Sequence, residues 1–238
     1  MNVPRIPLQS FPDVVMHASE SQVKQHPDYV AAKSGSIVAA ERLVDDIVNV
    51  DAIKRLRGLT TADYVKIVPV HALETDGVNE IPTALAIRLA EELGFELWPE
   101  VVQTNTVGHT GADGFHRLAN QAEFAGNLTE GVHVVVDDFV GQGGTLANLI
   151  GYIHSQGGTV AWATVLTGKP YSASIALDDA ALTRLRGIHG QKLEDWWKAQ
   201  FGFGFDCLTR SEARYLENTP DADAIRNRIV AARSPRGH

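Results

Sequence analysis

The stretch VHVVVDDFVGQGGTL at residues 132–146 constrains this 238-residue chain more than any other. Residues 132–136 are a short, almost wholly apolar run rich in β-branched side chains, the pattern of a strand covered on both faces. Two carboxylates, Asp137 and Asp138, close it. Three glycines follow (Gly141, Gly143, Gly144), and Thr145 opens a segment whose Leu146, Leu149, Ile150 and Ile153 have helical spacing. A strand, a glycine loop and a helix start together make an anion pocket. Glycine lets the backbone turn so that successive N–H groups converge, and the helix N-terminus faces the ligand. A phosphate is the natural occupant.

Two familiar phosphate loops do not fit these letters. A P-loop ends in Gly-Lys-Ser/Thr, whereas this loop reads Gly143-Gly144-Thr145, with no lysine. The dinucleotide fingerprint needs a third glycine where Leu146 stands, and it rarely carries two acids just before the phosphates. Bare carboxylates repel a phosphate, so Asp137 and Asp138 make sense if they hold ribose hydroxyls or a Mg²⁺ that bridges to the ligand. The residues describe a phosphorylated sugar, its hydroxyls on the two acids and its phosphate in the loop.

Residues 134–145 resemble the phosphoribosyl-diphosphate (PRPP) motif of class I phosphoribosyltransferases: apolar strand residues, two acids, two apolar residues, and a small-residue loop ending Gly-x-Thr. The resemblance places Asp137 and Asp138 on the ribose hydroxyls, with Asp138 also a candidate Mg²⁺ ligand. It places Gly141, Gln142, Gly143, Gly144 and Thr145 around the 5′-phosphate. Three departures stand out: Gly141 and Gln142 occupy positions where the family usually has a small hydroxyl or acidic residue and then threonine, and Phe139 is bulkier than usual. Hypoxanthine-guanine enzymes carry an aspartate at the Gly141 position, so that subgroup is disfavoured.

The same resemblance assigns roles elsewhere. The loop after the first core strand, 71–82, is where the family binds pyrophosphate; His71 is its only potentially cationic residue, so contacts there fall largely to backbone N–H groups. Residues 104–117, polar and glycine-bearing, correspond to a hood that closes over the reaction centre and excludes water, with His109, His116 and Arg117 as candidate contacts to the leaving pyrophosphate. Arg117 and Asn120 also resemble the Arg-x-x-Asn segment of the competence-associated (ComF-like) branch. Asp137, Asp138, Arg117 and His109 are thus the candidate catalytic residues. Lys169 follows the next strand, where purine-specific relatives have a lysine that meets the base, although a solvated turn is its simpler expectation.

The implied activity is Mg²⁺-dependent transfer of the phosphoribosyl group of PRPP to a nitrogenous base or amine, with release of pyrophosphate. A homodimer is expected. Two rivals remain: a non-enzymatic PRPP- or nucleotide-binding regulatory module of the same fold, and a small hydrolase or receiver domain using one aspartate as nucleophile, which leaves the glycine loop unexplained.

Composition bounds the rest. The formal charge of −8 disfavours general nucleic-acid binding. No apolar run reaches the length of a membrane span, no secretory signal is visible, and Cys207 is alone, so a cytoplasmic setting is expected. Residues 1–62 are expected to be an extension, irregular to residue 34 and then helical at 36–49 and 51–57; residues 63–170 an α/β core with a parallel, doubly wound sheet; and residues 171–238 a mainly helical extension, all in one compact domain. Within the core the pattern predicts strands at 64–70, 97–103 and 159–166 and a helix at 83–93. The C-terminal part should hold helices at 172–185, 192–200, 211–217 and 221–232 and a strand at 203–207. The aromatics Trp196, Trp197, Phe201, Phe203 and Phe205 suit core or dimer packing better than a base-stacking hood.

Overall fold

A computed structural model describes residues 4–74, 77–107 and 113–233. In chain order the elements are β1 (Val15–Met16), α1 (Glu20–Lys24), α2 (Tyr29–Lys33), α3 (Ile37–Ile47), α4 (Val50–Arg57), β2 (Val65–Pro69), β3 (Leu73–Glu74), β4 (Gly77–Val78), α5 (Ile81–Leu93), β5 (Glu96–Leu97), β6 (Val101–Gln103), α6 (Gly114–Ala119), β7 (Phe124–Gly126), β8 (Gly131–Val140), α7 (Gly144–Ser155), β9 (Gly158–Gly168), α8 (Asp179–Phe201), α9 (Arg210–Glu217) and α10 (Ala222–Arg233).

Among the described residues the main sheet has five strands in the order β1-β9-β8-β2-β5, every pairing parallel. Parallel strands need crossovers, and crossover helices cover the faces. On one face α3, α4 and α5 bury Leu43, Leu56, Leu85 and Leu89 against Ile67, Val134, Val136 and Trp162. On the other, Leu146, Leu149, Ile150 and Ile153 of α7 pack against Val68, Val135, Ala163 and Val165. Successive residues of β2 and β8 thus serve opposite cores, which is why these strands read as continuous apolar runs. Each such fully buried side chain contributes roughly 1.5–3 kcal/mol. This is the expected α/β architecture, with a parallel sheet and helices on both faces.

A separate apolar cluster gathers α6, α8, α9 and α10 around Trp197, Phe201, Phe203 and Phe205. The aromatic concentration is interior packing: the Trp197 and Phe201 ring centroids lie 4.3 Å apart.

Several expectations are corrected. Residues 4–14 are irregular, as expected, but residues 15–34 are not: β1 pairs with β9 as an edge strand, and α1 and α2 follow it. The single strand expected at 97–103 is split, β5 joining the main sheet while β6 pairs antiparallel with β7 in a two-stranded ribbon. The turn at residues 98–100 separates them, and Trp98 N–H still donates to Ile67 O. The helix expected at 172–185 starts only at Asp179, capped by the Asp178 side chain, after a 3-10 turn at Pro170–Ser172. It runs into the next helical segment across a break at Gly190, and the strand expected at 203–207 is a 3-10 turn, Phe205–Cys207.

Candidate functional site

The chain leaves β2 toward β5 on one side and leaves β8 toward β9 on the other. This reversal opens a crevice at the C-terminal ends of β2 and β8, where open α/β sheets bind ligands. The register shows where it begins. β2 stays paired with β8 only as far as Pro69 opposite Val136, and Val70 N–H closes the ladder onto Val136 O at 2.8 Å. β8 continues with β9 alone, pairing Asp137 with Val165 and Phe139 with Thr167. The two acids therefore stand on the first residues of β8 past the point where β2 lets go. They line a cavity of about 480 Å³ together with the loop at 141–146.

The glycine loop is held from behind. Its carbonyls accept hydrogen bonds from buried side chains of distant segments: Gly141 O from Ser172 Oγ, Gln142 O from Thr209 Oγ1, and Gly144 O from Arg5 Nη2 at 3.3 Å. In a trans peptide C=O and N–H point in opposite directions. Anchoring the carbonyls on the protein side turns the N–H groups of Gln142, Gly143 and Thr145 toward the cavity. Gly143 is the N-cap of α7 at φ 82°, a left-handed conformation, and α7 has no side-chain cap. Its first N–H groups are thus disposed to receive an anion.

Beneath the loop lies a buried polar network. Arg5, with a fully buried side chain, donates to both oxygens of Glu212 at 2.6 and 3.0 Å, to Gln121 Oε1 at 2.8 Å and to Asn148 Oδ1, and its guanidinium stacks 4.5 Å from the Phe203 ring centroid. Glu212 also accepts from Thr209 N–H in a reciprocal cap of α9. The residue that grips the loop is thereby fixed by the network.

The acids differ from each other. Asp137 is buried, and its Oδ1 accepts from Asp138 N–H at 2.8 Å. Burial first, and the neighbouring Asp138 charge second, push its carboxyl well above the usual carboxylate range, favouring the neutral acid, which can donate a hydrogen bond. Asp138 pairs with Lys33 Nζ at 3.1 Å. The acids are thus less open than bare ribose clamps would be, and a sugar hydroxyl must share Asp138 with Lys33. The loop beside them is open to the cavity.

Arg117, on α6, lies over Gly141, its Nη1 standing where a Cβ on that residue would have to go. A side chain at position 141 would displace the guanidinium. This gives a physical reason for glycine where the family pattern has a larger residue.

Of the residues singled out from the sequence, Asp137, Asp138, Arg117, Gly141, Gln142, Gly143, Gly144 and Thr145 all line the one cavity. His71 does not: Val70 and Ala72 line it on either side, and His71 bridges to Val102, its carbonyl taken by Gln103 N–H. His109, with residues 108–112 of the hood segment, lies outside the described residues. Lys169 is solvated at the turn after β9, as the simpler expectation had it, and it also lines the cavity, ion-paired with Glu20.

Sequence reasoning missed Glu20, Lys24, Tyr29 and Lys33, which α1 and α2 bring into the same cavity. One signal was readable. Ser19 and Gln22 form a capping box, the S-x-x-Q pattern that starts a helix, and Glu20 with Lys24 is an i,i+4 pair at 2.6 Å. Among the described residues no cluster of three acid, histidine or cysteine side chains could hold a metal by itself. A Mg²⁺ arriving with a phosphorylated ligand would find one suitably placed carboxylate on the protein, Asp138.

Protein TraN from Escherichia coli is 40% identical to this chain over 231 residues, 97% of this chain and 52% of the relative. An uncharacterized protein from Haemophilus influenzae is 39% identical over 144 residues, 60% of this chain and 32% of the relative. The chain therefore spans about half, or less, of the length of these curated relatives. No protein-family profile matches it. Among solved structures, an adenine phosphoribosyltransferase aligns at 12% identity and TM-score 0.32, over 52% of this chain and 74% of that one. The adenine phosphoribosyltransferase of Leishmania tarentolae aligns at 14% and 0.35, over 81% and 78%. The UMP synthase of Leishmania donovani aligns at 15% and 0.31, over 83% and 48%. At these values the likeness bears on neither activity nor ligand.

Proposed function

We propose that the cavity binds PRPP with Mg²⁺ and that the protein transfers the phosphoribosyl group to a nitrogenous base or amine. The observation that carries this reading is the meeting, in one crevice, of the Asp137–Asp138 pair and a loop whose carbonyls are tied back so that its amides face the ligand. The 5′-phosphate rests on the amides at the α7 N-terminus. The ribose hydroxyls lie against Asp138 as acceptor and Asp137 as donor. The acceptor nitrogen forms a bond to C1 while the C1–oxygen bond breaks, and the electron pair leaves with pyrophosphate. The acceptor's N–H proton passes to water or to the departing diphosphate. Such a displacement proceeds through an oxocarbenium-like state, which the nearby Asp138 carboxylate favours. When bound, Mg²⁺ neutralises the diphosphate charge. Arg117 stands where it can meet an anionic group beside Gly141.

Calorimetry with Mg-PRPP, followed by pyrophosphate release across a panel of bases and amines, tests the reading. Binding in the micromolar range and release only with an acceptor present are expected. Asp138→Asn should weaken Mg-PRPP at least about tenfold, the loss of one charge-assisted contact; unchanged affinity removes Asp138 from the site. The Lys33–Asp138 pair supports a second reading, a PRPP-sensing module in which the ligand breaks that pair without transfer. Tight binding with no release across the panel would favour it.

A further inference from the structure

The lysines of the cavity are answered by acids of the same chain, and one of those acids occupies a place suited to a ligand. Glu20, the first residue of α1, bridges two of them: its Oε1 meets Lys24 Nζ at 2.6 Å and its Oε2 meets Lys169 Nζ. β1 runs beside β9 and ends at the C-terminal edge of the sheet, which brings α1 against the residue that follows β9, Lys169. Lys24 Nζ also lies 5.5 Å from the centroid of the Phe139 ring, an aromatic face on the cavity wall. Arg117 lines the same cavity. Two lysines, a nearby guanidinium and a ring face form a patch that suits a flat molecule carrying a carboxylate.

We infer that the Glu20–Lys24–Lys169 cluster over Phe139 is a binding subsite for a planar, carboxylate-bearing ring, and that the Glu20 carboxylate holds that position until the ligand's own carboxylate replaces it. The inference deepens the transfer reading by naming the acceptor class: an anionic aromatic or heteroaromatic ring, in place of a neutral base. A sugar phosphate alone has no use for the Phe139 face. Glu20 is 26% exposed in its side chain and Lys169 41%, so the exchange takes place at a wetted mouth and needs no rebuilding of the core. Ion pairs exposed to this degree are individually weak, which lets an external carboxylate compete.

The test uses isosteric pairs differing in charge, benzoate with benzamide and pyridine-3-carboxylate with pyridine-3-carboxamide. Each is titrated by calorimetry into the full chain alone and into its Mg-PRPP complex. The carboxylates are expected to bind about tenfold more tightly than the amides. Glu20→Gln, which removes the competing charge, should tighten the carboxylates about threefold, and Lys24→Met or Lys169→Met should erase the preference. A merely structural Glu20 would produce no gain. Equal binding of acid and amide, no binding of either at millimolar concentration, weaker or unchanged carboxylate binding in Glu20→Gln, or displacement of the carboxylate by Mg-PRPP would each overturn the inference. Failure of PRPP itself to bind would end the transfer reading, while the titrations on the chain alone would still decide the subsite.

Discussion

Arg5 and Glu212 are separated by 207 positions in sequence and are both almost completely buried. Removing one member of such a pair strands the other charge in the interior, at a cost of about 3–5 kcal/mol. Arg5→Met is the sharper perturbation. It leaves Glu212 with only the Thr209 N–H contact and the cap of α9, and it removes the donors to Gln121, Asn148, Cys207 O and Gly144 O. For a chain of this size that loss should lower Tm by roughly 6–20 °C, at 2–4 °C per kcal/mol. The double variant Arg5→Met/Glu212→Leu strands no charge, so it should cost clearly less than the two single changes added together. Urea denaturation of the wild type, both single variants and the double variant measures all four corners. Strict additivity, or single-variant losses under about 1 kcal/mol, would refute the claim that this pair is a buried, mutually compensating unit.

His17 gives a pH prediction. Burial pushes its imidazole down to about 4, and its Nδ1 accepts from Asn49 N–H at 3.2 Å, which the neutral ring can do. The folded protein holds it neutral, so its contribution is complete above the ordinary histidine value near 6.5 and is lost as pH falls through 6.5 toward 4, up to roughly 3 kcal/mol. His17→Asn should flatten stability measured between pH 7 and 4; an unchanged slope would assign the acid lability elsewhere. Cys207 is buried and its thiol is pushed up to about 11 by burial and then by the Asp206 charge, so a thiol reagent at pH 8 should modify it only in denaturant. Gly141→Ala should displace Arg117, so under the proposed transfer it and Arg117→Ala should both lower pyrophosphate release, with the Tm of Gly141→Ala within a few degrees of wild type, because only the end of a flexible side chain has to move.

The features legible in the sequence were those written in contiguous residues. The apolar run before Asp137, the acids, the glycines and the helical spacing from Leu146 onward all lie within one stretch, and they reappear as β8, loop and α7. Longer amphipathic elements such as α3, expected as a helix at 36–49, were also readable. What escaped was short or distant. β1 has two residues and α1 and α2 five each, too few for any period to register, so Lys24 and Lys33 were lost inside a segment read as irregular. The support of the loop was equally invisible, since Ser172, Thr209 and Arg5 reach it from 31, 67 and 139 positions away. His71 was placed by loop position, whereas its backbone is engaged with the 101–103 segment and its neighbours Val70 and Ala72 take the cavity wall.

The tethering of the glycine loop has a consequence for the order in which the molecule can become competent. A ribosome has released Asp137, Asp138 and all of α7 before Thr209 and Glu212 exist, so during synthesis the tie on Gln142 O and the carboxylate that fixes Arg5 are both missing. Trimming the protein to its sheet and flanking helices would remove the same contacts. The loop gains its full backing only when the segments carrying Thr209 and Glu212 fold against it, with Arg5 between them.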